Sequence, residues 1–175
     1  MPRVFVGASH QGCTEVTWPE PVERVASFLR RSGADARIEE LPTDASTAPA
    51  AADAVGSTLG QIVKSLVFMC DGTPALALVP GDRKADTGKI ARLLEARRVT
   101  IARAEDVVEA TGFAPGGVAP FPLERVPVVL VERTLLRHGV VWAGAGSERH
   151  LIAIAPAELV RLTRGRLEDV VLESP

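Results

Sequence analysis

The chain has 175 residues, close to one ordinary domain, with 46 % apolar residues and no long polar or repetitive tract. A balance of 20 Lys and Arg against 22 Asp and Glu leaves a formal charge of −2, which excludes a broadly basic surface that wraps duplex DNA or RNA. Two cysteines, Cys13 and Cys70, lie too far apart for a zinc pattern and read as reduced thiols of a cytoplasmic protein; neither a signal peptide nor a membrane span is recognisable.

Residues 1–18 read as an N-terminal extension with a short strand near 4–6, and residues 19–175 as a single domain. Pro19-Glu20-Pro21 opens a helix whose apolar positions Val22, Val25, Ala26, Phe28 and Leu29 follow helical spacing until Gly33 stops it. A strand is predicted over 37–41. A helix follows over 49–55, with Thr47 near its cap and Gly56 just past its end.

The next run, Gln61-Ile62-Val63-Lys64-Ser65-Leu66-Val67-Phe68-Met69-Cys70, is apolar and β-branched, hence a strand over 62–70. Alternation puts Lys64 on one face with Ile62, Leu66, Phe68 and Cys70. A lysine there must snorkel out, find an anion or lose its proton; an edge lysine that blocks strand addition is the plainer reading. Asp71-Gly72-Thr73-Pro74 turns the chain into a second strand over 75–79, a hairpin, which Pro80-Gly81-Asp82 ends.

A helix is predicted over 87–96, with Ile90, Leu93 and Leu94 on one side. A short strand follows over 99–102, then a helix over 104–111 with Ala104, Val107 and Val108 inward. Gly112-Phe113-Ala114-Pro115-Gly116-Gly117-Val118-Ala119-Pro120-Phe121-Pro122 comes next, a segment of three glycines, three prolines and two phenylalanines. Glycine admits positive φ and close approach of a ligand, and proline stiffens the backbone. The product is either a rigid loop with bare N–H groups suited to an anion or carbonyl oxygen, or a tight crossover packed by Phe113 and Phe121. Phosphate-loop and dinucleotide fingerprints are absent. Strands over 127–132, 140–142 and 151–154, a helical turn over 134–137, a helix over 157–162 and a last strand over 169–172 complete the chain. Irregular mixing of strands and short helices, with a hairpin, indicates an α+β fold with a mixed sheet.

Taken together, the segments 61–68, Pro80-Gly81-Asp82-Arg83 and 112–121 resemble the YbaK/prolyl-tRNA-synthetase-associated domain family, and the likeness runs in order from about residue 20 to 172. That family comprises the editing domain inserted in prolyl-tRNA synthetase and free-standing relatives that deacylate mischarged tRNA. The resemblance implies a mixed, partly barrel-like sheet with surrounding short helices, and no metal or organic cofactor. The family's lysine matches Lys64, and its glycine loop matches Gly112, Gly116, Gly117, Val118 and Pro120. Its glycine-rich turn falls on Ala143-Gly144-Ala145-Gly146-Ser147-Glu148-Arg149-His150-Leu151. Some cysteinyl-specific members carry an aspartate shortly after this turn, where this chain has Ile152, so the substrate stays open.

The implied activity is trans hydrolysis of a misacylated tRNA ester, with tRNAPro carrying alanine, cysteine, serine or threonine as the plausible substrate. Lys64 and the backbone of Gly116, Gly117 and Val118 would carry catalysis. Lys64, Ser65, Gly112, Phe113, Pro115, Pro120, Gly144, Gly146 and His150 would bind substrate. A single aimed backbone donor is worth roughly 3 kcal/mol in such sites, and a lysine can hold a phosphate, bind developing charge or, if burial lowers its pKa, move a proton. The nucleophile is water or a substrate group. Ser65 reads as a strand hydroxyl rather than a nucleophile, and His10, His138 and His150 form no triad. His150 is a solvated histidine or a substrate contact. Cys70 reads as core. Arg83 and Lys84 sit in a solvated turn or touch phosphate, and the basic clusters at 30–31, 97–98 and 161–166 read as solvated faces. With 4 % aromatics there are few base-stacking platforms, so the 3′ CCA end is the expected RNA contact, with prolyl-tRNA synthetase as a possible helper and neither DNA nor membrane as a partner. The rival readings are a module that senses a tRNA end, nucleotide or amino acid without hydrolysis, and a hydrolase of another small ester or amide.

Overall fold

The computed structural model describes residues 4–6, 17–42 and 45–174, with the backbone alone at 4–6; His10 and Cys13 lie outside the described residues. Among the described residues, nine strands and five α-helices follow in the order β1 (Val4–Val6), α1 (Glu20–Arg31), β2 (Ala36–Glu40), α2 (Ala48–Val55), β3 (Ile62–Cys70), β4 (Thr73–Pro80), α3 (Thr87–Leu93), β5 (Val99–Ile101), α4 (Ala104–Thr111), β6 (Val128–Glu132), β7 (Val141–Gly144), β8 (His150–Ile154), α5 (Pro156–Thr163) and β9 (Arg166–Glu168). All strands join one mixed sheet in the order β1-β2-β8-β7-β3-β4-β6-β9, with β5 added to β3. The β3–β7, β4–β6 and β6–β9 pairs are parallel and the rest antiparallel. The α+β class with a mixed sheet is as the sequence indicates. The sheet stays open, since β1 and β9 at its two ends do not pair.

The β3–β4 hairpin is its longest ladder, running from Val63↔Pro80 to Cys70↔Thr73. Asp71 (φ 49°) and Gly72 (φ 84°) give its two-residue turn the positive φ values that match strand twist. The Asp71 carboxylate also accepts the N–H groups of Arg97 and Arg98, which fastens the start of β5 to the turn. Val63 and Val67 face one apolar cluster with Leu76, Leu78 and α1 residues Val22, Val25 and Leu29. Phe68 and Cys70 face a second with Ala77, Val79 and Ile90, and Ile62 a third with Ala51, Ala52 and Trp142. Both sheet faces are therefore covered, each fully buried Val or Leu contributing about 2 kcal/mol. Cys70 is buried and free.

Several details depart from the sequence reading: the helix expected over 87–96 ends at Leu93, and the strand expected over 140–142 runs Val141–Gly144. The last strand is Arg166–Glu168, not 169–172, which keeps only an isolated bridge from Val171 to Ala85. The chain leaves the sheet at Asp169 because that carboxylate is held by Lys89 at 2.8 and 2.9 Å and the Val170 N–H donates to buried Glu132 at 2.8 Å. In α4, Ala104 is exposed and Val108 is 48 % exposed, while Ala110 and Thr111 are buried. The helix is rotated so that its C-terminal turn, leading into the glycine loop, is the part that packs.

Candidate active site in a gap of the sheet

Strand β3 is paired to β4 along its length, but its other edge is incomplete. There β7 covers only Ile62 and Val63, and β5 covers only Phe68–Cys70, leaving 64–67 without a partner strand, although the Val67 carbonyl accepts from the Ala102 N–H just past β5. Strand β7 turns away because Gly144 leads into Gly146, which has φ 102° and lies against Pro21 so closely that a Cβ would sit 2.7 Å from its backbone. In the gap lies a cavity of about 370 Å³, lined by Lys64, Ser65, Gly116, Val118, Gly144 and Leu151 among others. Its remaining wall includes Thr47, Ala48 and Ala51, at and just after the N-terminus of α2, where the helix dipole favours negative charge.

Close approaches at glycine hold the two loops at this cavity together. A Cβ on Gly117 would meet the Ser147 Cα at 2.9 Å, and one on Gly144 would meet the Val118 carbonyl oxygen at 2.7 Å. Gly116 adopts φ 88°, a conformation open to glycine at no steric cost. The turn is closed by the Gly117 N–H donating to the Ala114 carbonyl at 3.1 Å.

Lys64 projects from β3 toward the turn after β4, where its ammonium donates to the Arg83 carbonyl. Burial holds its pKa below the ordinary lysine value; the Asp82 carboxylate opposes this and Lys84 adds to it. It is a half-buried cation at a cavity wall, hydrogen-bonded to a neutral carbonyl. The Ser65 hydroxyl is buried with no hydrogen-bond partner among the described residues.

Of the residues singled out by sequence, Lys64, Ser65, Gly116, Val118 and Gly144 meet in this cavity. The others lie around it. Gly117 is buried behind the loop, and Pro115 is exposed at its tip. Gly112 caps α4 with φ 71°, and its carbonyl accepts from Arg24 at 2.6 Å. Phe113 is fully buried beneath the Arg24 guanidinium, 4.5 Å from its ring centroid. Pro120 lines a separate groove with Phe28, Phe121 and Leu162. His150 is buried, not solvated; its Nδ1 is 2.5 Å from the Ser147 hydroxyl and its ring meets Trp18 edge-on at 5.3 Å. Burial lowers its pKa, with Glu40 opposing and Arg149 reinforcing. His150 therefore braces the 144–150 turn. Sequence reasoning missed the α2 wall and Leu151; the Thr47 cap marked that helix but not what it faces. Among the described residues no group of His, Cys, Asp and Glu is placed to hold a metal ion, and no helix is long and apolar enough to cross a membrane.

The sequence profile of the aminoacyl-tRNA editing domain matches residues 42–162. The chain belongs to that family. It is 33 % identical over 123 residues to the uncharacterised protein YwhH of Bacillus subtilis, covering 70 % of this chain and 78 % of YwhH. It is 27 % identical over 126 residues to EbsC of Enterococcus faecalis, named as a candidate Cys-tRNA(Pro)/Cys-tRNA(Cys) deacylase, covering 71 % and 76 %. A 30 % identity over 151 residues links it to the proline–tRNA ligase of Desulforamulus reducens, covering 82 % of this chain but 26 % of the ligase. A crystal structure described as a candidate trans-editing enzyme for prolyl tRNA synthetase superposes with TM-score 0.84 at 37 % identity, over 90 % of this chain and 100 % of the other.

Proposed function

We propose that this editing domain acts in trans as an aminoacyl-tRNA deacylase, hydrolysing the ester of a misacylated tRNA at the cavity beside Lys64. The observation that carries the reading is the meeting of half-buried Lys64, Gly116, Val118 and an unpaired strand edge around one cavity. An aminoacyl ester is already activated, so holding it, neutralising the developing oxyanion and admitting a nucleophile suffice. The loop backbone would supply donors near the carbonyl, in a position where they cost no reorganisation. The Lys64 ammonium would neutralise the ribose or phosphate end, its burial making that interaction stronger than in bulk water. Water, or a hydroxyl or thiol of the substrate, would attack.

Small lining residues, Ala51, Gly116, Val118 and Gly144, support a small aminoacyl group. A synthetase pocket rejects such near-sized amino acids by only about 1–3 kcal/mol, which is why a second sieve is needed. EbsC and the ligase relative make tRNAPro the first tRNA to test, and prolyl-tRNA synthetase the first partner. Charged tRNA is a cytoplasmic substrate, so the cytoplasm is the proposed place of action; residues 19–175 are the proposed functional domain, to which the segment before it adds the edge strand β1 and the buried Trp18 ring. The test is a panel of mischarged tRNAs, with alanine, cysteine, serine and threonine on tRNAPro. Release of at least one supports the reading; binding without release from any makes the protein a sensor instead.

A further inference from the structure

The turn that receives the Lys64 ammonium has a second side. Pro80, Asp82 and Arg83 also wall a separate cavity of about 340 Å³, whose other lining includes Thr58, Thr134, Arg137 and His138. The turn is stiff: the Gly81 N–H donates to the Ile62 carbonyl and the Arg83 N–H to the Pro80 carbonyl. A Cβ on Gly81 would sit 2.6 Å from the Leu59 carbonyl oxygen, so this wall cannot shift independently of residues 58–61. Arg83, Arg137 and His138 bring nitrogen-bearing side chains to its lining. The Arg83 guanidinium is engaged by the Leu172 carbonyl at 2.7 Å, whereas Arg137 and His138 have no side-chain partner among the described residues. Asp82 is the one carboxylate on the lining, and it lies against Gly60.

We propose that this second cavity is a phosphodiester subsite, in which Arg137 and His138 hold the RNA backbone on the 5′ side of the terminal nucleoside. The inference rests on the deacylase reading for its ligand. With the aminoacyl group in the first cavity and the terminal ribose at Lys64, the RNA leaves over the wall that Lys64 touches. That wall is the turn, and beyond it stand the two unengaged donors. A guanidinium suits phosphate because its fork of N–H donors matches the phosphate oxygens.

The test uses the full chain and its Arg137→Ala/His138→Ala variant. Binding of a short single-stranded RNA ending in CCA is followed by fluorescence anisotropy across a salt series. Deacylation is measured on mischarged tRNA and on a phosphate-free aminoacyl-adenosine ester. The expected result is RNA binding weaker by about tenfold, a salt slope smaller by about 0.7 for each phosphate that the variant leaves unneutralised, a KM for mischarged tRNA raised to match, and no comparable loss on the phosphate-free ester. Arg137→Lys, which keeps the charge but loses the planar fork, should retain the wild-type salt slope while losing part of the affinity. Wild-type affinity and salt slope in the double variant, or an equal loss on the phosphate-free ester, overturns the subsite. If wild-type protein releases no amino acid yet its RNA binding still depends on Arg137 and His138, the deacylase reading fails while the subsite stands.

Discussion

Replacing Gly144 by alanine tests whether the close approach between β7 and the 112–122 loop sets the site's geometry. The added Cβ would lie 2.7 Å from the Val118 carbonyl oxygen, where ordinary van der Waals contact begins at 3.4 Å, so that carbonyl must retreat by roughly 0.7 Å. The neighbour is backbone, not the end of a flexible side chain, and it belongs to the loop that supplies the proposed donors. Overpacking of this kind costs about 1–3 kcal/mol, which for a chain of this size lowers Tm by roughly 2–12 °C. A displacement approaching 1 Å at a reacting centre costs on the order of 100-fold in rate. Gly139→Ala is the internal control, because its Cβ meets nothing within 4 Å and should change stability by less than about 0.5 kcal/mol. Thermal melts and single-turnover deacylation on the mischarged tRNA that wild type cleaves best give both numbers. If Gly144→Ala melts and turns over like the Gly139 control, close packing at Gly144 does not position the loop.

Three further outcomes are expected. Glu132 is buried and accepts the Val170 and Thr134 N–H groups at 2.8 and 3.2 Å, so Glu132→Ala strands two donors and should cost about 3 kcal/mol in urea unfolding; a loss under about 1 kcal/mol contradicts that role. His150 has a folded pKa below its unfolded value because of burial, so its contribution to stability is present above about pH 6.5 and is lost as pH falls toward the folded value; urea melts at pH 7.5 and 5 should show a steeper loss for wild type than for His150→Gln, and parallel losses count against the assignment. Because the Ser65 hydroxyl is buried without a partner among the described residues, Ser65→Ala should not lower Tm, while shifting the preference between seryl or cysteinyl and alanyl esters by about tenfold if that hydroxyl meets the substrate side chain; an unchanged preference removes Ser65 from the site.

Local chemistry made much of this molecule readable. A period of two put Lys64 among Ile62, Leu66 and Phe68, an Asp-Gly pair marked the hairpin, and Gly33, Gly56 and Gly112 marked helix ends, each with positive φ. Long-range pairing was not readable. Whether the free edge of β3 is filled depends on β7 and β5, which reach it from far along the chain and stop short of one another. The polar edge strand Arg166–Glu168 carries no apolar alternation to announce it. His150 next to exposed Arg149 looks solvated in sequence, but the Trp18 ring packs edge-on against it from before α1. Phe113 and Pro120 belong to the loop's motif but point away from the Lys64 cavity, because the loop must anchor itself in the core before it can present Gly116 and Val118.

Lys64→Met, measured for stability and deacylation together, bears most directly on the assignment of the site. The substitution removes a half-buried cation bonded to a neutral carbonyl, a group whose desolvation opposes folding. A Tm equal to or above wild type, with release of amino acid reduced by at least about 100-fold, is the predicted pair of results. Wild-type turnover by the folded variant would mean that the ester is cleaved somewhere else.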